Sequence, residues 1–383
     1  MTSKERVMSA FRHKEGDRIP YDIGAGKSCK FTYKFYLKLL DYLGIEEEVQ
    51  ICNTISQLVY ASDRVLEELG CDVRAAKPNL DLIIPENNRS RDWEDEKNYY
   101  KIDEWGTSYR MAKDGGLYYD MSGFPMADAE DGEDDAKYVF PSAPGVKASS
   151  LELVKEYQKN GYPVTIAEHF GNGFLQTGPR IFGFDNWLCM LAAEPERAEA
   201  MLDKLLEVKM AYWDNMLGVY GNHVDFISEC DDLGTQTSSF ISYDMFRELI
   251  LPYHRKLYSH IKSKYDVKIL LHSCGAVSGM IGDLIAAGVD ALNPVQTTAA
   301  NMDPQYLKRE FGKDIVFWGG GIDTQHTLPF GSPGKIKDMV KRNIDILGKD
   351  GGFIFATIHN IQPDVPIENF VAMMEALREY SAY

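Results

Sequence analysis

An imidazole and a thiol two residues apart, His272 and Cys274, close the apolar run Lys268-Ile269-Leu270-Leu271-His272-Ser273-Cys274-Gly275. In an extended chain residues i and i+2 share a face, so both side chains can reach one metal ion, and a nitrogen–sulfur donor pair suits zinc better than magnesium. A later imidazole, His359, completes a candidate three-ligand set. The fourth position is then left for substrate or for a side chain such as Glu229, Asp231 or Gln296. The alternative is a hydrogen-bonded histidine and a buried cysteine that only finish a strand. Glu229, Asp231 and Asp232 crowd together after another apolar run. Neighbouring carboxylates cannot all ionise freely, which makes Asp231 and Glu229 candidates for moving protons. Capping a helix, or pairing with an arginine such as Arg180, is the structural alternative for them.

Placing these groups together requires a series of strands. From Ser149 onward apolar runs at 164–168, 225–229, 267–272, 289–293, 315–319 and 352–357 alternate with helical periodicity. The helices are expected at 184–193, 195–219, 243–264, 277–287, 304–310, 332–347 and 367–380. Two earlier runs, 19–23 and 72–76, stand among helical patterns at 3–13, 33–43 and 57–69. Together they supply the eight strands that close a (β/α)8 TIM barrel, an α/β fold. A doubly wound open sheet competes, but no strand exit carries G-x-G-x-x-G with a following acidic residue. Between about 80 and 145 short aromatic segments and turn formers predict an antiparallel β-hairpin insertion, so residues 1–383 read as one barrel domain carrying a β-rich excursion. Its acidic stretch, Asp128 to Asp135, lacks the calcium-loop ligand order and reads as a solvated loop.

Chemistry in such a barrel collects at the C-terminal ends of the strands. Glu168, Asn293, Gln296 and the triple glycine Gly319-Gly320-Gly321 all fall there and are candidates for binding a ligand. Glycines at such a point let backbone approach a large flat molecule or form a tight turn. Arg12 and Arg18 flank the entry to the first strand, suited either to a substrate carboxylate or to a salt bridge at the barrel floor.

The formal charge of −17 disfavours nonspecific binding to nucleic acid or an anionic membrane. No apolar run approaches the length of a membrane span, and the N-terminus leads into an amphipathic helix rather than a signal core, so a cytoplasmic location is expected. The six cysteines are scattered without metal-knuckle or redox spacing.

The motifs His272-Ser273-Cys274-Gly275, Gly288 to Gln296, Phe317 to Asp323 and His359-Asn360-Ile361-Gln362 resemble the uroporphyrinogen decarboxylase superfamily. The branch they resemble lies near the zinc-containing corrinoid-dependent methyltransferases, and the opening Arg6 to Pro20 is similar to that branch as well. The resemblance implies a (β/α)8 barrel, Zn2+ on a His-x-Cys pair plus a third late ligand, and a methyl group moved between a small substrate and a corrinoid carried by a partner protein. It also implies a homodimer as an arrangement to expect. His272 and Cys274 match the pair; the third ligand of that branch is a cysteine, and His359 stands in its place. That exchange favours an O-methyl substrate over a thiol acceptor. On this reading Asp231 or Glu229 handles protons, while Glu168, Asn293, Gln296 and Gly319 to Gly321 line the site for substrate and corrinoid. True decarboxylases carry two arginines after the first strand, whereas Tyr21 to Lys27 has none. A cofactor-free decarboxylase acting on a polycarboxylate or porphyrinogen, and a non-enzymatic tetrapyrrole-binding protein, are the alternatives.

Overall fold

A computed structural model describes residues 1–83 and 91–383. The first strands, β1 (Gln50–Asn53) and β2 (Leu58–Tyr60), form an antiparallel hairpin beside the barrel. The first barrel strand in the ladder, β3 (Arg74–Ala75), follows them. Next comes the insertion. Within it β4 (Asn79–Ile83) pairs antiparallel with β9 (Ser142–Lys147), and β5 (Arg91–Glu94), β6 (Asn98–Ile102), β7 (Ser108–Ala112) and β8 (Asp120–Gly123) make an antiparallel meander. This agrees with the expected hairpin excursion, of which residues 84–90 lie outside the described residues.

The remaining strands are β10 (Val164–Ile166), β11 (Phe226–Cys230), β12 (Lys268–His272), β13 (Ala291–Asn293), β14 (Val316–Trp318) and β15 (Phe353–Ile354). With β3 they form a seven-stranded parallel sheet in the order β15-β14-β13-β12-β11-β10-β3. Residues 19–23 close it. Tyr21 bridges Phe355 in parallel on one side, and on the other the Asp72 N–H donates to the Tyr21 carbonyl at 2.9 Å. The eighth strand position foreseen in the sequence is therefore filled by bridges too short to count as a regular strand.

The strands are short, almost wholly buried runs, as parallel strands covered by helices must be. Inside the barrel floor Phe11 stacks on Phe226 at 5.0 Å between ring centres, with Trp318 edge-on to Phe226 at 5.3 Å. Outside, the helix Pro195–Tyr220 buries Ala198, Met201, Leu202, Leu205, Trp213 and Met216, the spacing of one helical face.

Four segments depart from expectation. The acidic stretch expected as a solvated loop contains the short helix Gly132–Asp135, whose Asp135 is buried and pairs with Arg197 at 2.5 Å. Residues 57–69 are not one helix but β2 followed by the helix Asp63–Leu69, because Ser62 accepts from Val65 N–H and starts the helix there. The span 243–264 is broken into Tyr243–Met245, a π turn Phe246–Ile250 and Leu251–Lys264. Pro252, lacking an N–H, interrupts the ordinary ladder at that point. A helix, Phe174–Phe182, occupies a stretch with no element expected from the sequence. No helix among the described residues is long and apolar enough to cross a membrane.

The closing seam depends on Asp72, which is 1% exposed. Its carboxylate accepts from Arg6 at 2.6 Å, Arg18 at 2.8 Å and the Tyr21 N–H at 2.9 Å. Arg18 is thus a floor ion pair, and Arg12 contacts Ser9 through its guanidinium. Asp72→Ala leaves two guanidinium groups without their shared partner and should lower unfolding free energy by about 3–5 kcal/mol. The half-exposed Asp17 also pairs with Arg6, yet Asp17→Ala should cost about 1 kcal/mol or less. Denaturant titration of the two variants checks the difference.

Candidate active site

Strand alternation decides which side chains enter the barrel. Cys230 pairs with His272 across β11 and β12, so their side chains point the same way, and Glu229 pairs with Leu271 on the opposite face. The inward set at these strand ends therefore includes Cys230 and His272, with Asp232 and Cys274 two residues further on.

His272 Nδ1 lies 2.7 Å from Asn293 Oδ1 and 2.8 Å from Ser28 Oγ. The Asn293 amide nitrogen donates to the Trp318 carbonyl at 2.9 Å, so its oxygen is the atom that faces the ring. An amide oxygen only accepts, so the imidazole proton resides on Nδ1 and the Nε2 lone pair is free. That lone pair faces the Cys274 sulfur at 3.4 Å, with Asp232 Oδ1 at 3.6 Å. The His359 ring meets His272 edge-on at 5.8 Å between centres, and neither of its nitrogens has a hydrogen-bond partner among the described residues. One donor atom from each of His272, Cys274 and His359 lies within 4.8 Å of the others, although strands five and eight of the barrel are not neighbours. Cys230, Asp232 and His272 form an overlapping set within the same limit.

Burial lowers His359 to about 4, with the adjacent His272 adding to the effect, and burial likewise lowers His272. Both rings are thus neutral donors near pH 7. Burial, and then the Asp232 carboxylate, raise the Cys274 thiol well above its ordinary range. A divalent cation would reverse that, since a coordinated thiol deprotonates.

The proposed proton-handling groups face elsewhere. Asp231 is fully buried, accepting from the N–H groups of Leu175 and Gln176 at the start of the helix Phe174–Phe182 and lying 2.9 Å from His254 Nε2. It is the cap of that helix supplied from another strand end. A Cβ on Gly173 would fall 2.1 Å from the Asp231 side chain, so the close approach requires glycine. Glu229 is sandwiched against the helix Pro195–Tyr220, accepting from Trp213 Nε1 at 2.5 Å and pairing with Lys209 at 2.9 Å. Asp232 is the acid of this run that faces the cluster. It accepts from the Cys274 N–H at 2.8 Å and from Gln176 Nε2 at 2.6 Å while remaining part-exposed.

The ligand-binding candidates divide similarly. Asn293 orients His272, and Gln296 accepts from the Gly275 N–H at 2.8 Å, bracing the turn after Cys274. Glu168 is paired with Lys30 at 2.6 Å; burial would raise its carboxyl, but the lysine outweighs this and holds it below the usual range. Gly319 to Gly321 are buried and do not line an open mouth. Gly319, at φ 133°, would drive a Cβ to 2.1 Å from the Pro294 carbonyl, so the triple glycine serves internal packing. Sequence reasoning missed Ser28, Cys230 and Gln176. The signal for Cys230 was its even offset from Asp232 along one strand. Beyond Asp232 opens a cavity of about 150 Å3 between the helices Phe174–Phe182 and Phe184–Ala193 and the insertion.

The two facings predict opposite responses to mutation. Asp231→Ala and Glu229→Ala should each destabilise by about 3–5 kcal/mol by stranding buried partners. Asp232→Ala should cost about 1 kcal/mol. Equal loss of unfolding free energy in all three variants would show that Asp232 is structural as well.

Known proteins resemble the chain over part or nearly all of its length. The chain is 25% identical over 221 residues to a methylated-thiol--coenzyme M methyltransferase of Methanosarcina mazei, covering 57% of this chain and 51% of that protein. It is 29% identical over 199 residues to a uroporphyrinogen decarboxylase of Chlorobium limicola, covering 50% and 52%. The matched region thus spans about half the length of these curated relatives. Among solved structures, a methyltransferase from Methanosarcina mazei superposes with TM-score 0.64 at 17% identity, covering 99% of both chains, a likeness of fold. Residues 175–380 match the profile of the family described as uroporphyrinogen decarboxylase (URO-D). That match takes in more than half of the chain and every strand end from Asp231 to His359, and the protein belongs to the URO-D family.

Proposed function

We propose that the chain is a methyltransferase of a corrinoid-dependent system, moving a methyl group between a small O-methyl compound and a corrinoid on a partner protein, with zinc as its resident metal. The observation that carries this reading is the convergence of His272, Cys274 and His359, two neutral imidazoles and a thiol with one donor atom each within 4.8 Å of the others. Tetrahedral zinc sets its donors about 3.3–3.8 Å apart, a spacing this cluster reaches with small side-chain shifts. When bound, zinc acts as a Lewis acid toward the heteroatom that bears the methyl group.

The chain's own residues supply the rest. Asn293 and Ser28 hold the His272 ring so that Nε2 stays directed into the site. The departing heteroatom keeps the electron pair of its broken bond to carbon, and the Asp232 carboxylate, between the cavity and the cluster, is positioned to relay a proton from water to it. The methyltransferase among the relatives supports methyl transfer as the chemistry. The corrinoid partner rests on the resemblance of the strand-end motifs, because the packed glycines provide no cradle for a flat ring. A cytoplasmic location is consistent with six cysteines that are all free.

A decarboxylase of a polycarboxylate finds less support. Arg6 and Arg18 are committed to Asp17 and Asp72 at the floor, and Asp231 is buried behind the strand ends.

Purified protein should hold about one zinc per chain, and His272→Ala or His359→Ala should abolish it without unfolding. Asn293→Ala, which frees the His272 ring, should weaken zinc binding about 10–100-fold. With zinc present, methoxylated donors should consume cob(I)alamin, followed by its absorbance, and chelation should stop the reaction reversibly. Folded, metal-free protein that resists loading would refute the reading.

A further inference from the structure

The cavity of about 150 Å3 beside Asp232 has a chemistry of its own. Leu175, Pro179, Trp187, Leu188 and Phe240 form apolar walls, and Met121, from the insertion, stands at the rim. Phe184, another wall residue, meets Phe240 edge-on at 5.0 Å, so two aromatic rings frame the opening. Polar groups gather at one end, where Asn172, Gln176 and Asp232 lie toward the donor cluster. An apolar cavity of about 150 Å3 is the size that takes up one benzene ring.

Charge narrows the ligand further. Among the described residues Asp232 is the only ionisable side chain in the lining, and no lysine or arginine contributes to it. Of the lysines nearby two are paired with carboxylates, and Lys27, hydrogen-bonded to a neutral imidazole, lies outside the lining. Lys27 lies 3.0 Å from His169 Nδ1, Lys30 pairs with Glu168 at 2.6 Å, and Lys209 pairs with Glu229 while donating to the Asn172 carbonyl at 2.9 Å. A carboxylate or sulfonate buried here would face Asp232 with no cation among the described lining residues, a costly arrangement.

We propose that this cavity is the substrate pocket and that it selects an uncharged molecule with a single-ring apolar body, its methyl-bearing atom directed past Asp232 toward His272 and Cys274. The selection deepens the methyl-transfer reading and rests on it only for the reaction that follows binding. Anionic thiols and polycarboxylates are excluded by the same wall. The insertion acquires a role as well, since Met121 on β8 closes the outer side of the pocket.

The test is isothermal titration calorimetry of the full chain, with and without zinc, using anisole and 4-methoxybenzoate as probes. Anisole should bind saturably and at least about tenfold more tightly than the carboxylate. Leu188 is half-exposed and tolerant of change, so Leu188→Trp should fill the cavity and weaken anisole about tenfold while zinc content stays the same. Leu188→Lys places a cation in the wall and should reverse the preference between the two probes. The proposal is overturned by tighter binding of 4-methoxybenzoate to the unaltered protein, by no saturable binding of either probe, or by unchanged anisole affinity in both variants. Anisole that binds as expected but yields no methyl transfer to reduced corrinoid would leave the pocket standing and remove the reaction.

Discussion

Asn293 accepts a hydrogen bond from His272 Nδ1 at 2.7 Å, and its amide is turned the right way because its nitrogen donates to the Trp318 carbonyl. This chain of contacts runs across the ends of β12, β13 and β14, three adjacent parallel strands. It turns the Nε2 lone pair of a buried imidazole toward the Cys274 sulfur at 3.4 Å, where the only partner is a weak thiol donor that a metal ion would displace. Cys274, Asp232 and His359 gather around that lone pair. The cluster is thus a consequence of barrel register, and register is fixed by burial of the apolar strand residues.

The same register explains how adjacent carboxylates acquire unlike roles. Glu229 and Asp231 turn outward, where one neutralises Lys209 in the helical layer and the other anchors the start of a helix. Cys230 and Asp232 turn inward. Outward residues build the wall that inward residues use, because the helix capped by Asp231 carries Leu175, Gln176 and Pro179 into the cavity lining. A defect at Asp231 would therefore reach the site through the helix, without any contact between Asp231 and a ligand.

Much of this was readable in the residues alone. The barrel followed from apolar runs of strand length alternating with helical periodicity, and His272 with Cys274 followed from their even spacing at the end of one such run. The inward direction of the neighbouring acids was harder, because four consecutive residues, Glu229 to Asp232, offer no local cue to which face is buried on the helical side. That information lies in the pairing of Cys230 with His272, a contact between residues far apart in sequence. The helix Phe174–Phe182 was hidden for a related reason: its cap comes from Asp231 rather than from a serine or aspartate just before it, and Pro179 imitates a break. The triple glycine misled in the opposite sense, as closeness to the Pro294 backbone demands the same residue that closeness to a ligand would.

The central claim is the identity of the metal donors, and zinc-edge X-ray absorption on the loaded protein addresses it most directly. One sulfur at about 2.3 Å with nitrogen or oxygen scatterers at about 2.0–2.2 Å is the expected coordination shell, with multiple scattering from two imidazole rings. A shell with two sulfurs would mean that Cys230 has replaced His359. A shell with no sulfur would contradict the site altogether.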